Sequence, residues 1–341
     1  MIRSAIRSFT ATLALAAMAA TAASAAAQSG RTDLEAAFDS ALGTQLRKPQ
    51  TYRADYTSPF EREIAMLADG AQGRIGVYAM DLSTGREVGV LEDQRFPMAS
   101  TSKVAIAAVY LAGVDAGRWT LQSEWRLPRR GGKYISAQRH IDLMISKSCN
   151  ACTDALLQAV GGPQAVNRWM RQAGIADFEL TRDIASLVRQ DGRTDPASSI
   201  VLADSATPRA MGRFLAGIYQ GRWLSPQSRR VILDAMAATT TGKDRMRSAL
   251  PLSARLANKT GTLSRTASDI GIFHTPDGRT IVAAVYVTGQ SMSLASENGN
   301  RGRKLQARRM RDGRIASITR ALYNGFAQSG GASFASANYD E

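Results

Sequence analysis

Two strand–turn–strand patterns stand at opposite ends of this chain, and almost everything between them reads as helix. Near the start, "RIGVYAMDLSTGREVGVLE" alternates around a Ser-Thr-Gly turn; near the end, "SDIGIFHTPDGRTIVAAVYVTG" does the same around Pro276-Asp277-Gly278. From about residue 100 to about residue 250, helical periodicity and loops dominate. Strands at both ends with helices inside predict an α+β fold: one antiparallel sheet built from N- and C-terminal strands, flanked by helices, with an all-α subdomain inserted.

The flanks set the boundaries. Arg3 and Arg7 precede an apolar Ala/Leu run, and Ala23-Ser24-Ala25 or Ala25-Ala26-Ala27 offers small-residue cleavage sites before Gln28. Residues 1–27 therefore read as a secretory signal peptide, which predicts a periplasmic protein. Residues 28–57 are polar and weakly patterned, an N-terminal extension. The domain is expected over 58–328, opening at Ser58-Pro59-Phe60-Glu61. Here Ser58 can cap, Pro59 suits the first helical position, Glu61 completes a capping box, and Phe60, Ile64 and Leu67 share a face. The Ser/Gly/Ala-rich residues 329–341 read as a disordered tail. With no second long apolar run, stable membrane insertion is not expected.

A formal net charge of +14 raises the question of a partner. An exported protein rarely meets nucleic acid, and no aromatic interleaving marks a stacking platform, so anionic substrates or envelope polymers fit better. Arg308, Arg309, Arg311 and Arg314 stand among Ile315, Ile318 and Leu322 at helical spacing, which predicts the solvated face of a packed helix.

Three short motifs carry chemistry. In "RFPMASTSKVAIAAVYL", Ser100 and Lys103 lie one helical turn apart at the opening of a buried helix. A part-desolvated lysine among other cations loses its proton and serves as base for the serine, and the Ser100 N–H supplies half of an oxyanion hole. In "KSCNACTDALL", Ser148 and Asn150 can both face a cleft across a tight turn, Ser148 to relay a proton and Asn150 to bond a substrate amide. The competing reading is that Ser148 caps the next helix. In "ANKTGTLSRTASDIG", Lys259 and Thr260 can hold an anionic group. Gly261 allows close approach to the strand, and the Thr262 N–H can complete the oxyanion hole.

S-x-x-K, then S-x-N, then K-T-G, in that order, resembles the class A serine β-lactamases and, more distantly, the penicillin-binding proteins. The resemblance spans about residues 58–328. The segment "TTTGKDRMRSALP" is similar to that family's stretch before K-T-G and puts Arg245 where some members keep a carboxylate-binding arginine. The resemblance implies a monomeric hydrolase with Ser100 as nucleophile, Lys103 as base and Ser148 as relay. Asn150 would orient a small-molecule substrate, a β-lactam or a peptidoglycan-like acyl peptide. Lys259, Thr260, Gly261, Thr262 and Arg245 would bind its carboxylate and oxyanion, and no metal or organic cofactor would be needed. Antibiotic resistance or β-lactam catabolism is the role this implies.

Two departures stand out. The family's deacylating glutamate lies in an R-x-E-x-x-L-N context on an Ω-shaped loop, and the matching stretch here is "FELTRDIASLVRQDG". Arg182 and Leu187 align, and Arg182 can pair with Asp204, but Ile184 and Val188 fall where the glutamate and asparagine belong. Either an acid within 177–195, among Glu179, Asp183 and Asp191, replaces the base, or Asp154 does. Asp154 lies where the family carries the asparagine that touches the glutamate. The second departure is Cys149, which stands where the family has a structural aspartate. With Cys152 it makes the chain's only two cysteines. The helical pattern of "RHIDLMISKS" argues against a thioredoxin-type motif, and His140 alone against zinc. Whether the two form a disulfide stays open.

Overall fold

The computed structural model describes residues 46–47, 58–69 and 72–328. The expected signal peptide, the tail and all but two residues of the expected extension lie outside them. The chain divides into units Met1–Leu46 and Arg47–Glu341. Leu46, in the two-residue strand Leu46–Arg47, is all that is described of the first unit. The second unit holds the fold and the site.

Helix α1 (Pro59–Leu67) begins as its sequence requires. Ser58 Oγ accepts from the Glu61 N–H and Glu61 Oε2 accepts from the Ser58 N–H, both at 3.2 Å, with Pro59 in the first turn. The two hairpins form as expected: β1 (Ile75–Asp81) with β2 (Glu87–Val90), and, late in the chain, β3 (Ala257–Leu263), β4 (Thr266–His274) and β5 (Thr280–Thr288). All neighbours are antiparallel in the order β3-β4-β5-β1-β2, with Val285 opposite Val77, so the two ends of the domain meet at β5–β1. The strand β5 is buried along its whole length because both of its faces are covered. Ile281, Ala283 and Val285 face α1 and the C-terminal helix α9 (Arg301–Gln328). Val282, Ala284 and Tyr286 face the helical layer.

That layer is built around α2 (Lys103–Asp115), whose residues Val104–Leu111 are all buried. A helix apolar on every side can only be a central one. Around it pack α3 (Ala137–Ser146), α4 (Asn150–Ala159), α5 (Gly162–Gln172), α6 (Ile184–Gln190), α7 (Pro208–Gln220) and α8 (Pro226–Ala237). At the far end of α2, Asp115 accepts from Ser225 Oγ and Ser228 Oγ, both at 2.6 Å, and so ties α2 to the start of α8.

The basic cluster on α9 corrects one expectation. Arg308 and Arg309 are solvated, but Arg311 is buried and donates to both oxygens of the buried Glu297, at 2.9 and 2.6 Å, and to the Gly289 carbonyl. A guanidinium leaves water only where such acceptors replace it, and Glu297 lies fourteen residues away, outside any helical period.

Candidate active site

The chain enters the site through a constrained turn. Met98 donates to the Asp204 carbonyl at 3.0 Å, Ala99 takes φ +50°, and a 3-10 turn over Ala99–Ser102 runs into α2. A non-glycine residue in the left-handed region costs energy and persists only where its surroundings enforce it. Here Thr101 Oγ1 donates to the Met98 carbonyl at 2.7 Å and Ser102 Oγ to the Ala99 carbonyl at 2.9 Å. These neighbours tie the turn down on both sides of Ser100, which is itself part-exposed.

Lys103 is fully buried, and its Nζ donates to the Ser148 carbonyl at 2.7 Å, to Asn150 Oδ1 at 2.7 Å and to Ser148 Oγ at 3.2 Å. Burial, reinforced by the charge of Lys259 and opposed by Asp154, lowers its pKa to about 6. With that pKa it is mostly a free amine at neutral pH, which keeps the two donations at 2.7 Å and turns its lone pair to the Ser148 hydroxyl as acceptor. Lys259, fully buried on β3, donates to the same Ser148 Oγ at 3.2 Å and to the Thr260 carbonyl at 2.7 Å. Burial brings Lys259 to about 7 against the pull of Asp269, and Arg245 lowers it further.

The S-x-N and K-T-G motifs, more than a hundred residues apart, therefore meet at one hydroxyl. Ser148 holds φ +58° and does not cap α4; Cys149 does. Cys149 and Cys152 are joined in a disulfide, with α-carbons 5.3 Å apart.

The expected binding residues divide into those that face solvent and those that support them. Asn150 and Thr262 are exposed, whereas Thr260, Gly261 and Arg245 are buried. Thr260 Oγ1 lies 2.5 Å from Thr241 Oγ1. Gly261 is required by packing from below. A Cβ there would sit 2.4 Å from Ser268 Oγ, 2.8 Å from the Met98 carbonyl oxygen and 3.1 Å from Ala99 Cβ, so the missing side chain lets β3 lie against the Ser100 turn. Arg245 is 1% exposed. It donates to Asp312 at 2.7 Å, to the Gly261 and Ser268 carbonyls at 2.8 and 2.9 Å, and to Thr262 Oγ1 at 2.8 Å. The exposed residue that its side chain bonds is Thr262, through the hydroxyl.

Sequence reasoning missed Asp269, fully buried on β4 opposite Thr260. It accepts from Asn258 Nδ2 at 2.8 Å and is the counter-charge beneath Lys259 and Arg245. Burial raises its pKa to about 6 against that hydrogen bond and the two cations. The available signal was an aspartate inside the apolar "SDIGIF" run.

The loop that should carry a deacylating base is closed as expected by Arg182 and Asp204 at 2.5 Å. Ile184 is 2% exposed and Val188 points out at 50%, so neither supplies a polar group. The loop's acids hold the loop. Glu179 accepts from Asn167, and Asp183 caps α6 through the Ser186 N–H. Asp191 accepts the Ser264 N–H on both oxygens, Asp195 pairs with Arg265, and Asp177 with Arg95. Asp154, on α4, accepts the Ile184 and Ala185 amides at 2.7 and 3.1 Å. It is also the carboxylate whose charge acts on Lys103. Burial raises its pKa against those two amides. Among the described residues no group of three or more His, Cys, Asp or Glu is placed to hold a metal ion.

The model of the beta-lactamase enzyme family matches residues 59–326. Among curated relatives, the beta-lactamase of Streptomyces albus G is 28% identical over 80% of this chain and 93% of its own length. The carbapenem-hydrolyzing beta-lactamase KPC of Klebsiella oxytoca is 30% identical over 65% of this chain and 78% of its own. Among solved structures, an ancestral class A beta-lactamase superposes with a TM-score of 0.68 at 30% identity, over 78% of this chain and all of that one. A beta-lactamase from Chitinophaga pinensis gives 0.67 at 25% identity, over 79% and 100%.

Proposed function

The chain belongs to the beta-lactamase enzyme family, and on that premise we propose that it opens β-lactam amides through an acyl-enzyme on Ser100. The observation that carries the proposal is the Ser148 hydroxyl held 3.2 Å from both Lys103 Nζ and Lys259 Nζ. Neutral Lys103 takes the Ser100 Oγ proton as Oγ attacks the lactam carbonyl carbon, and the N–H groups of Ser100 and Thr262 receive the oxyanion. As the C–N bond breaks, Ser148 gives its proton to the leaving nitrogen and regains one from protonated Lys103. Asn150 orients the substrate amide. Lys259, Thr260 and Thr262 hold its carboxylate, with Arg245 acting behind Thr262. Nothing in these steps calls for a metal or an organic cofactor.

Deacylation is the open half of the cycle. We propose Asp154 as the base that activates water for attack on the ester, because it is the carboxylate whose charge acts on Lys103, although like the loop's own acids it is engaged in holding the loop, through the Ile184 and Ala185 amides. That same engagement favours a second reading, in which Ser100 is acylated but released slowly. A D-Ala-D-Ala carboxypeptidase, another acyl hydrolase or a penicillin-binding protein that does not turn over would behave so toward β-lactams. A monomer in the periplasm is part of the proposal and rests on the N-terminal pattern and the resemblance alone.

The test is a stopped-flow and steady-state run with a chromogenic cephalosporin on the mature protein, on Ser100→Ala and on Asp154→Asn. Sustained turnover lost in Ser100→Ala supports the lactamase. Asp154→Asn should then acylate normally and accumulate the Ser100 adduct by mass spectrometry, and unchanged turnover in that variant removes Asp154 as base. A single stoichiometric burst from the unaltered protein favours the second reading.

A further inference from the structure

The turn over residues 148–152 carries two demands that its sequence meets poorly on its own. Ser148 must hold a left-handed backbone without being glycine. Asn150 must start α4 while its side chain serves Lys103. Between them the helix cap is a cysteine, although sulfur is a weak acceptor and is not among the residues favoured at that position.

Cys149 Sγ accepts the Cys152 N–H at 3.1 Å and is covalently joined to the same residue. The bond thus does what a strong capping side chain would do. Cys149 is fixed on its backbone as well: its N–H donates to the Leu143 carbonyl at 3.1 Å, and its carbonyl accepts from Thr153 Oγ1 at 2.7 Å. The residues on either side of this anchor supply every acceptor that Lys103 Nζ uses.

We infer that the Cys149–Cys152 disulfide is a positioning clamp for acylation, holding Ser148 and Asn150 on Lys103 so that reduction of the bond disengages the relay. The inference rests on the Ser100 acyl-enzyme reading. Cys149 is part-exposed and Cys152 is 1% exposed, so a reductant meets Cys149 first. Dithiothreitol supplies the two electrons and two protons that convert the S–S bond to two thiols, and leaves as its own cyclic disulfide.

With the turn released, water reaches Lys103. Lys103 faces the ammonium of Lys259 from β3 and the carboxylate of Asp154 from α4. Since burial is the main force holding its pKa down, hydration moves that pKa up and the acid limb of acylation with it.

Acylation of the mature protein by a chromogenic cephalosporin is followed across pH, oxidised and after dithiothreitol, with thiols counted by mass spectrometry and folding checked by circular dichroism. The clamp predicts that the reduced protein acylates roughly 10- to 100-fold more slowly, with its acid limb displaced to higher pH. Cys149→Asp with Cys152→Ala installs a strong non-covalent cap. It should stay within about threefold of the oxidised protein and ignore dithiothreitol. Reduced protein, with both thiols free, that acylates at the oxidised rate with an unmoved acid limb overturns the clamp. If the reduced protein unfolds, folded Cys149→Ala with Cys152→Ala, which has neither bond nor cap, decides: slowed acylation with a raised acid limb supports the clamp, and acylation at the oxidised rate with an unmoved acid limb overturns it. Absence of any Ser100 adduct in the oxidised protein overturns the acyl-enzyme reading itself, and the clamp with it.

Discussion

At the scale of single residues, the site places two buried lysines, both with pKa pushed far below the ordinary lysine value by burial, around one hydroxyl. Lys103 must be neutral to take the Ser100 proton, so the acylation rate should rise with pH through about 6. Lys259 must be charged to hold a carboxylate, so the rate should fall above about 7. A narrow bell in kcat/KM is the expected profile. Lys259→Arg keeps its charge at all accessible pH, so the alkaline limb should move up by a unit or more while the acid limb stays. Stopped-flow acylation between pH 5 and 9 measures both limbs; an alkaline limb unmoved in the variant would assign it to another group. Ser100 is part-exposed and Asn150 and Thr262 are exposed, whereas Lys103, Lys259 and Arg245 are buried.

At the scale of elements, the decisive contact is β3 against the 3-10 turn that precedes α2. It exists because Gly261 lacks a side chain. Gly261→Ala places a methyl against the Met98 carbonyl and Ala99, and backbone cannot move aside as a flexible side chain would. The substitution should cost about 1–3 kcal/mol of stability. It should slow acylation more than tenfold with a roughly proportionate loss in kcat/KM, because it moves the nucleophile relative to Thr262. Denaturant melts and burst kinetics would measure the two effects separately; a stable variant with normal acylation would place the close approach elsewhere. The elements themselves are legible in the sequence. The capping box at Ser58, the two hairpins and the helix before Ser148 are written in residues a few positions apart, where local hydrogen bonding decides. Arg311 is misread from sequence because its partner Glu297 comes from another element.

At the scale of the whole molecule, a sheet closed by both ends of the domain forms one wall of the site and a helical layer the other, and lysines are buried between them. Burying an ammonium opposes folding. In the folded state Lys103 has a pKa of about 6, against 10.5 for an ordinary lysine, so the unfolded chain binds more protons between those values and stability rises with pH across that window. Lys103→Met should abolish acylation and stabilise the fold by about 1–3 kcal/mol at neutral pH. The gain should be largest near pH 6 and shrink as pH rises, because the buried amine must give up its proton to fold, and that costs most where the unfolded chain holds the proton most firmly. Thermal melts at pH 6 and pH 9 measure the difference; an equal or reversed gain would mean that Lys103 is well compensated in the folded protein. The sequence by itself determined the fold class, the order of the three motifs and that Ile184 stands at the loop position where the resemblance expects a glutamate, since each is a matter of residue type and short spacing. Only the tertiary structure decided that Ser148 stands between two lysines, that the buried Arg245 bonds Thr262, that Asp269 lies beside the K-T-G strand and that Cys149 and Cys152 are bonded. Each of these depends on which groups are brought together away from water, and that is settled by packing rather than by residue type or motif spacing.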